Sequence, residues 1–279
     1  FEHVPLRAGI LCGSVQITDR GLELDNRRFF TINVCENIRV LLLESDVLSR
    51  VRPFHFLKLA VDPTEGEALN GIQTEQGFIQ ELTSKELEKH HIVVLANPQP
   101  LTPQAANMLT RYMENGGTAL TFSGGDVGPA TFAAFQSAKL QALFGAREQS
   151  EFNGLTFKGA LSGLNELLQM DLVKWKRLNK LTPSPSGFVL AESHGHVVMA
   201  EEKIGSGSFI ACAYSLRRDT SNWPELKSFP IAMIHLLTYA AHDPQQNAGV
   251  ACGRLLRLKA LAPDDNHIAL SHSDGTGFQ

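Results

Sequence analysis

The run Ser123-Gly124-Gly125-Asp126-Val127-Gly128 carries residue types suited to chemistry, and it follows the strand-sized apolar run Thr118-Ala119-Leu120-Thr121-Phe122. Two chemistries suit it. Ser123 could act as a nucleophile, given a base to take its proton, because a free hydroxyl is almost never ionised at pH 7. Alternatively, backbone N–H groups of Gly124, Gly125 and Asp126 could cradle a small anion at the carboxyl end of a parallel strand, the usual ligand side of an open α/β sheet. A third reading is plain: the glycines only let the chain turn tightly. Neither GxGxxG nor GxxxxGK[ST] occurs in the chain. Asn97, which closes the run Ile92-Val93-Val94-Leu95-Ala96, is a further ligand-binding candidate at a strand end.

Other groups carry weaker signals. Arg217-Arg218-Asp219 suits a clamp for an anion or carboxylate, or else a salt-bridged loop. His194-Gly195-His196 places two imidazoles close together but lacks a third ligand at metal spacing, so a hairpin turn is the simpler reading. His90-His91 falls at a helix end, where imidazolium suits the dipole and solvation suits it equally. Asp264-Asp265 lacks the further oxygen ligands of a calcium site. Trp223, beside Pro224, is a candidate anchor for a protein partner, or a ring that pins a loop onto the core.

Positioning these groups requires a scaffold, and the hydrophobic pattern describes one. Residues 1–35 alternate, with strand-sized runs at 9–17 and 29–34 around a turn at Thr18-Asp19-Arg20-Gly21, which reads as a β-hairpin or the last strands of a β-sandwich. From Ile38 the style changes to continuous apolar runs separated by helical patterns. Arg39-Val40-Leu41-Leu42-Leu43-Glu44 reads as a strand buried on both faces. A helix with Pro53 near its start follows, then a strand at 71–75 and a short helix opened by Thr83 with Glu86 three residues on. Ile92 to Ala96 is the clearest strand; Thr102-Pro103 opens the next helix and Asn115-Gly116-Gly117 stops it. The alternation over 38–122 implies right-handed βαβ units, with a parallel sheet between layers of helices. Beyond it, 132–144 looks helical and 150–190 less regular. Residues 197–203 and 208–214 read as strands joined by Ile204-Gly205-Ser206-Gly207, and 231–241 as a last helix. Residues 249–279 return to short strand-like pieces.

Composition narrows the function. With 279 residues, 43% hydrophobic and 19% charged, the chain can bury a large core. Its 25 Lys and Arg against 29 Asp and Glu give a net charge of -4, which lacks the basic footprint that nucleic acid requires. The four cysteines, Cys12, Cys35, Cys212 and Cys252, are far apart and form no CxxC, so buried free thiols are expected. No run is long enough to be a membrane helix and the first residues do not resemble a signal peptide; both ends read as cut from a longer chain. No metal or organic cofactor is implied.

Four stretches together resemble a known family. They are Leu24-Asp25-Asn26-Arg27-Arg28-Phe29-Phe30 leading to Val40-Leu41-Leu42-Leu43; Ile92-Val93-Val94-Leu95-Ala96-Asn97; Tyr112-Met113-Glu114-Asn115-Gly116-Gly117 into Ser123-Gly124-Gly125-Asp126; and Ser221-Asn222-Trp223-Pro224-Glu225-Leu226 before Phe229-Pro230. Their order resembles the extracytoplasmic part of BatA-like, aerotolerance-regulator-type bacterial membrane proteins. The resemblance implies a flavodoxin-like, class I glutamine amidotransferase-like α/β domain at about 36–248. It implies the end of a β-sandwich at 1–35 and the start of a further β segment at 249–279. It also implies a periplasmic location, with membrane attachment through segments outside this sequence.

Class I amidotransferases place a Cys nucleophile on a tight strand-to-helix turn and a His-x-Glu base after a late strand. Here Ser123 occupies the first place, and Ser215-Leu216-Arg217-Arg218-Asp219 the second, with no His. His235 falls inside the last helix. The expected function is therefore a non-catalytic interaction or ligand-sensing module, with a protein partner or a small anion as its target. The alternatives are a Ser-dependent hydrolase using Ser123 and an anion-binding domain using the 124–128 turn with Arg217 or Arg218.

Overall fold

The computed structural model describes residues 9–16, 27–34, 37–45, 53–64, 71–124 and 127–241. The first two segments are β1 (Gly9–Gln16) and β2 (Arg27–Val34), an antiparallel hairpin with Gly9 opposite Val34 and Gln16 opposite Arg27.

The βαβ alternation follows as β3 (Ile38–Glu44), α1 (His55–Val61), β4 (Ile72–Phe78), α2 (Ser84–Glu88), β5 (Ile92–Ala96), α3 (Pro103–Glu114) and β6 (Thr118–Phe122). Every residue of β5 and β6 is buried, as continuous apolar runs between two helical layers should be. Local chemistry sets the helix ends. The Thr83 hydroxyl accepts from the Glu86 N–H at 3.2 Å, and the Thr102 hydroxyl accepts from the Ala105 N–H at 3.2 Å, with Pro103 opening α3. Gly117, just past α3, admits no side chain, because a Cβ there would fall 2.2 Å from the Tyr112 ring.

The rest of the described chain is α4 (Ala138–Leu143), β7 (Phe144–Asn153), β8 (Thr156–Phe157), α5 (Leu164–Leu167), β9 (Lys174–Leu181), β10 (Phe188–Ser193), β11 (His196–Ile204), β12 (Gly207–Cys212) and α6 (Ser228–Ala241). One eight-stranded sheet runs β4-β3-β5-β6-β12-β11-β10-β8, while β7 and β9 pair separately. Neighbours from β4 to β12 are parallel, and the pairings from β12 to β8 are antiparallel. From β3 the chain steps outward to β4, then back across β3 to β5 and on to β6. Right-handed crossovers in opposite directions put α1 on one face and α2 and α3 on the other. Helix α6 joins α1 and covers β3 and β5.

Two expectations need correction. The 132–144 stretch is not one helix: it holds a short 3₁₀ turn ending at Phe132, then α4, and Phe144 already begins β7. Its phenylalanines follow packing rather than helical period, since the rings of Phe132, Phe135 and Phe144 lie 5.7, 6.1 and 6.3 Å from that of Phe209. The less regular 150–190 stretch supplies β8, β9 and the first half of β10. The expected 197–203 and 208–214 hairpin forms as β11 and β12, with Gly205 in the left-handed region at φ 61°. His194 and Gly195, at φ 47° and 82°, make the tight turn between β10 and β11. The 249–279 segment lies outside the described residues.

Candidate functional site

Because β3, β5, β6 and β12 are parallel, their carboxyl ends collect at one edge of the sheet, where open α/β sheets bind ligands. Asn97 leaves β5 in the left-handed conformation, φ 48°, and its N–H donates to the Phe122 carbonyl at 2.9 Å. Ser123 extends β6 by one rung, its N–H donating to the Cys212 carbonyl at 3.0 Å. The next residue brings three strand ends together. A Cβ on Gly124 would lie 2.4 Å from the Ser215 Cβ and 2.6 Å from the Asn97 Oδ1, so only glycine passes between these two side chains. The Asn179 amide, buried on β9, donates to the Val127 carbonyl at 2.8 Å and holds the far side of the turn. Gly125 and Asp126 lie outside the described residues.

Ser123 is fully buried, and among the described residues its hydroxyl has no hydrogen-bond partner. No described imidazole therefore stands within hydrogen-bond reach of it. Two further side-chain oxygens at this end share that condition, Asn97 Oδ1 and Thr121 Oγ1. Thr121 and Ser123 are two residues apart along an extended strand and so face the same side of the sheet. A buried polar group without a partner costs about 1–3 kcal/mol, and native structures hold few. Three at the ends of two adjacent strands mark a place with spare hydrogen-bonding capacity.

The loop after β12 closes on itself. The Ser215 hydroxyl donates to Asp219 Oδ1 at 2.5 Å and accepts from the Arg217 N–H at 3.1 Å, while the Ser215 N–H donates to the Thr220 hydroxyl at 3.1 Å. This turn holds both guanidiniums at the rim. Arg217, Arg218 and Asp219 line an open cleft of about 330 Å³ with His55 and Phe56. Arg218 pairs with Glu225 at 2.6 Å and lies 5.5 Å from the centre of the Phe56 ring, whereas Arg217 has no acidic partner among the described residues. The salt-bridged-loop reading thus describes Arg218, and an available cation describes Arg217. His55 and Phe56 open α1, the helix expected after Pro53, and no sequence motif marks them. The signal lay in topology: α1 begins just after the carboxyl end of β3, at the rim where the 215–220 loop emerges.

Burial sets the electrostatics of the nearest titratable groups. It raises the Glu44 carboxyl at the end of β3, and pushes the Cys212 thiol far above its usual range. Cys212 is free and fully buried, the form expected of the thiols; the side chains of Cys12, Cys35 and Cys252 lie outside the described residues.

Trp223 is not an exposed anchor. It is fully buried, with ring centres of Tyr214, Phe229, Trp175 and Phe157 within 6.3 Å, and its indole N–H donates to the Ser228 hydroxyl at 3.2 Å. The ring pins the 215–226 loop to the core. His90, at a helix end that suits either an imidazolium beside the dipole or solvation, is buried as well.

No family model matches the sequence, and no curated protein matches it. Solved structures do. A cytoplasmic protein of Salmonella typhimurium LT2 aligns with TM-score 0.57 and 11% identity, covering 72% of this chain and 99% of its own. A second Salmonella typhimurium cytoplasmic protein aligns with TM-score 0.57 and 10% identity, covering 72% and 98%. A ThuA-like protein of Bacteroides uniformis ATCC 8492 aligns with TM-score 0.50 and 11% identity, covering 77% and 97%. These likenesses speak to fold alone: a mixed α/β domain with a large, mostly parallel sheet, similar to ThuA-like proteins, which have a class I glutamine amidotransferase-like fold. Among the described residues no helix is long and apolar enough to cross a membrane.

Proposed function

We propose that this chain is a non-catalytic module that senses a small polar ligand, or docks a protein partner, at the carboxyl ends of β5, β6 and β12. One observation carries the reading. Where the amidotransferase-like fold places its nucleophile, this chain has a fully buried Ser123 whose hydroxyl meets no base among the described residues. A nucleophile needs both exposure to substrate and a partner to take its proton. The buried oxygens of Asn97, Thr121 and Ser123 instead favour a hydrogen-bonding ligand. The second reading, a small-anion site at the 124–128 turn, draws support from Arg217, whose guanidinium faces the rim cleft without an acidic partner among the described residues.

Membership of a BatA-like, membrane-anchored protein, with β-sandwich segments on either side and a periplasmic location, rests on the four sequence stretches alone. The Salmonella neighbours are called cytoplasmic, which is a statement about those proteins.

Melting curves with phosphate, nucleotides and carboxylates test the ligand reading, because a ligand that binds only the folded state raises the melting temperature. A saturable rise that Arg217→Ala abolishes identifies the anion site. A rise that Ser123→Ala abolishes places the ligand at the strand ends. No rise with any of them leaves protein docking as the surviving form of the proposal.

A further inference from the structure

Away from the carboxyl ends, the edge strand β4, helix α2 and the turn after it bring Glu75, Glu86 and His90 together. Each offers one ligand atom, and the three atoms lie within 4.8 Å of one another. The cluster is closed on one side and open on the other: the His90 side chain is 3% exposed and that of Glu75 61%.

The orientation of the imidazole decides what can occupy it. His90 Nδ1 lies 2.9 Å from the Glu86 backbone carbonyl. A carbonyl only accepts, so Nδ1 carries the hydrogen. His90 Nε2 then faces Glu75 Oε2 at 3.1 Å. In a neutral ring that nitrogen holds a lone pair, and a lone pair against a carboxylate oxygen is repulsive. A cation has to lie on or between them, either a proton or a metal ion. A histidine whose second nitrogen donates to a backbone carbonyl is the usual form of a metal-ligating imidazole. Neighbouring His91 shows the contrast, since its Nδ1 accepts the Arg39 N–H at 3.0 Å and its ring is held below the ordinary range by burial first, then by Arg39 and His90.

The support around His90 is rigid. The His90 N–H donates to the Leu87 carbonyl at 3.1 Å, the buried Tyr112 hydroxyl donates to the His90 carbonyl at 3.1 Å, and the Arg39 side chain donates to the Lys89 carbonyl. Sites held by such fixed partners keep their geometry without a ligand.

We propose that Glu75, Glu86 and His90 form a binding site for a divalent transition metal of the zinc type. The ion would take one imidazole nitrogen and two carboxylate oxygens, with water from the open side. Metal–ligand bonds of about 2.0–2.2 Å place neighbouring tetrahedral ligand atoms about 3.3 Å apart. The His90–Glu75 pair, at 3.1 Å, is already close to that spacing, and Glu86 offers an oxygen within 4.8 Å of both. Lys89 competes for the Glu86 carboxylate, its Nζ lying 2.8 Å from Oε2, but it is 55% exposed and can swing into water. The imidazole nitrogen favours zinc over magnesium or calcium, which prefer oxygen ligands throughout.

The test is calorimetric titration of ZnCl2 into the chelator-treated, dialysed chain at about pH 7.5. The expected result is one saturable site per chain, weakened about tenfold or more in Glu75→Gln and in Glu86→Gln. Lys89→Ala should bind more tightly, because it removes the competing cation, and MgCl2 should give no heat of binding. Both Gln variants leave the imidazole in place and are expected to melt as the parent does without metal. Binding that is absent in the parent, or unchanged in both Gln variants and in Lys89→Ala, overturns the proposal. The second pattern assigns the zinc to other histidines.

Discussion

The carboxyl ends of β5 and β6 and the β4–α2 edge handle polar side chains in opposite ways. At the strand ends Asn97, Thr121 and Ser123 bury neutral oxygens without partners among the described residues. At the edge, Glu75, Glu86, Lys89 and His90 gather formal charge, but there Glu75 stays 61% exposed and Lys89 55%. The difference follows from the size of the penalties. An unpaired buried hydroxyl costs about 1–3 kcal/mol, which a domain of this size can carry, whereas an unpaired buried charge costs several times more. A closed, neutral site can wait for a ligand that brings its own hydrogen bonds. A charged cluster has to stay in contact with water or hold a counter-ion.

Three substitutions probe this difference. The largest effect belongs to Trp223, which ties the loop forming the rim to the core. Trp223→Ala should lower stability by about 3–5 kcal/mol in urea denaturation. A variant as stable as the parent but defective in partner binding would restore the exposed-anchor reading. Next is Gly124→Ala, whose methyl group has no room between Ser215 and Asn97. It should cost about 1–3 kcal/mol by overpacking, measured in the same way. A harmless Gly124→Ala would mean that the strand ends are less closely joined than described. The smallest effect is at Ser123. Replacing a buried hydroxyl that has no partner among the described residues with alanine removes a penalty, so Ser123→Ala should match the parent or gain up to about 1 kcal/mol. A clear loss would reveal a partner for that oxygen.

Much of the parallel half is legible in the sequence, because residues such as Val93, Val94, Leu41 and Leu42 are apolar without alternation and only a doubly covered strand needs that. The helix boundaries at Thr83, Thr102 and Asn115 are equally local, since each cap is chemistry within a few residues. The antiparallel half is less so. Strand β9, Lys-Trp-Lys-Arg-Leu-Asn-Lys-Leu, buries Trp175, Leu178, Asn179 and Leu181 in a pattern matching neither a clean period of two nor a helix. The phenylalanines at 132, 135 and 144 suggest one helix because sequence spacing says nothing of Phe209, which gathers them.

The site divides in the same way. Strand order places Asn97, Ser123 and the 215–219 loop at one end of the sheet, and topology alone makes that readable. The addition of His55 and Phe56, the burial of Trp223 and the meeting of Glu75 with His90 all depend on contacts between segments distant in sequence. No local pattern announces them.

The role proposed for Ser123 is that of a hydrogen-bonding position and not of a nucleophile. Incubation of the folded chain with a fluorophosphonate, followed by intact-mass measurement, tests it most directly, since such reagents phosphonylate activated serines. The expected result is an unchanged mass. A single adduct that maps to Ser123 and is lost in Ser123→Ala would contradict it, and would place a catalytic base where none stands among the described residues.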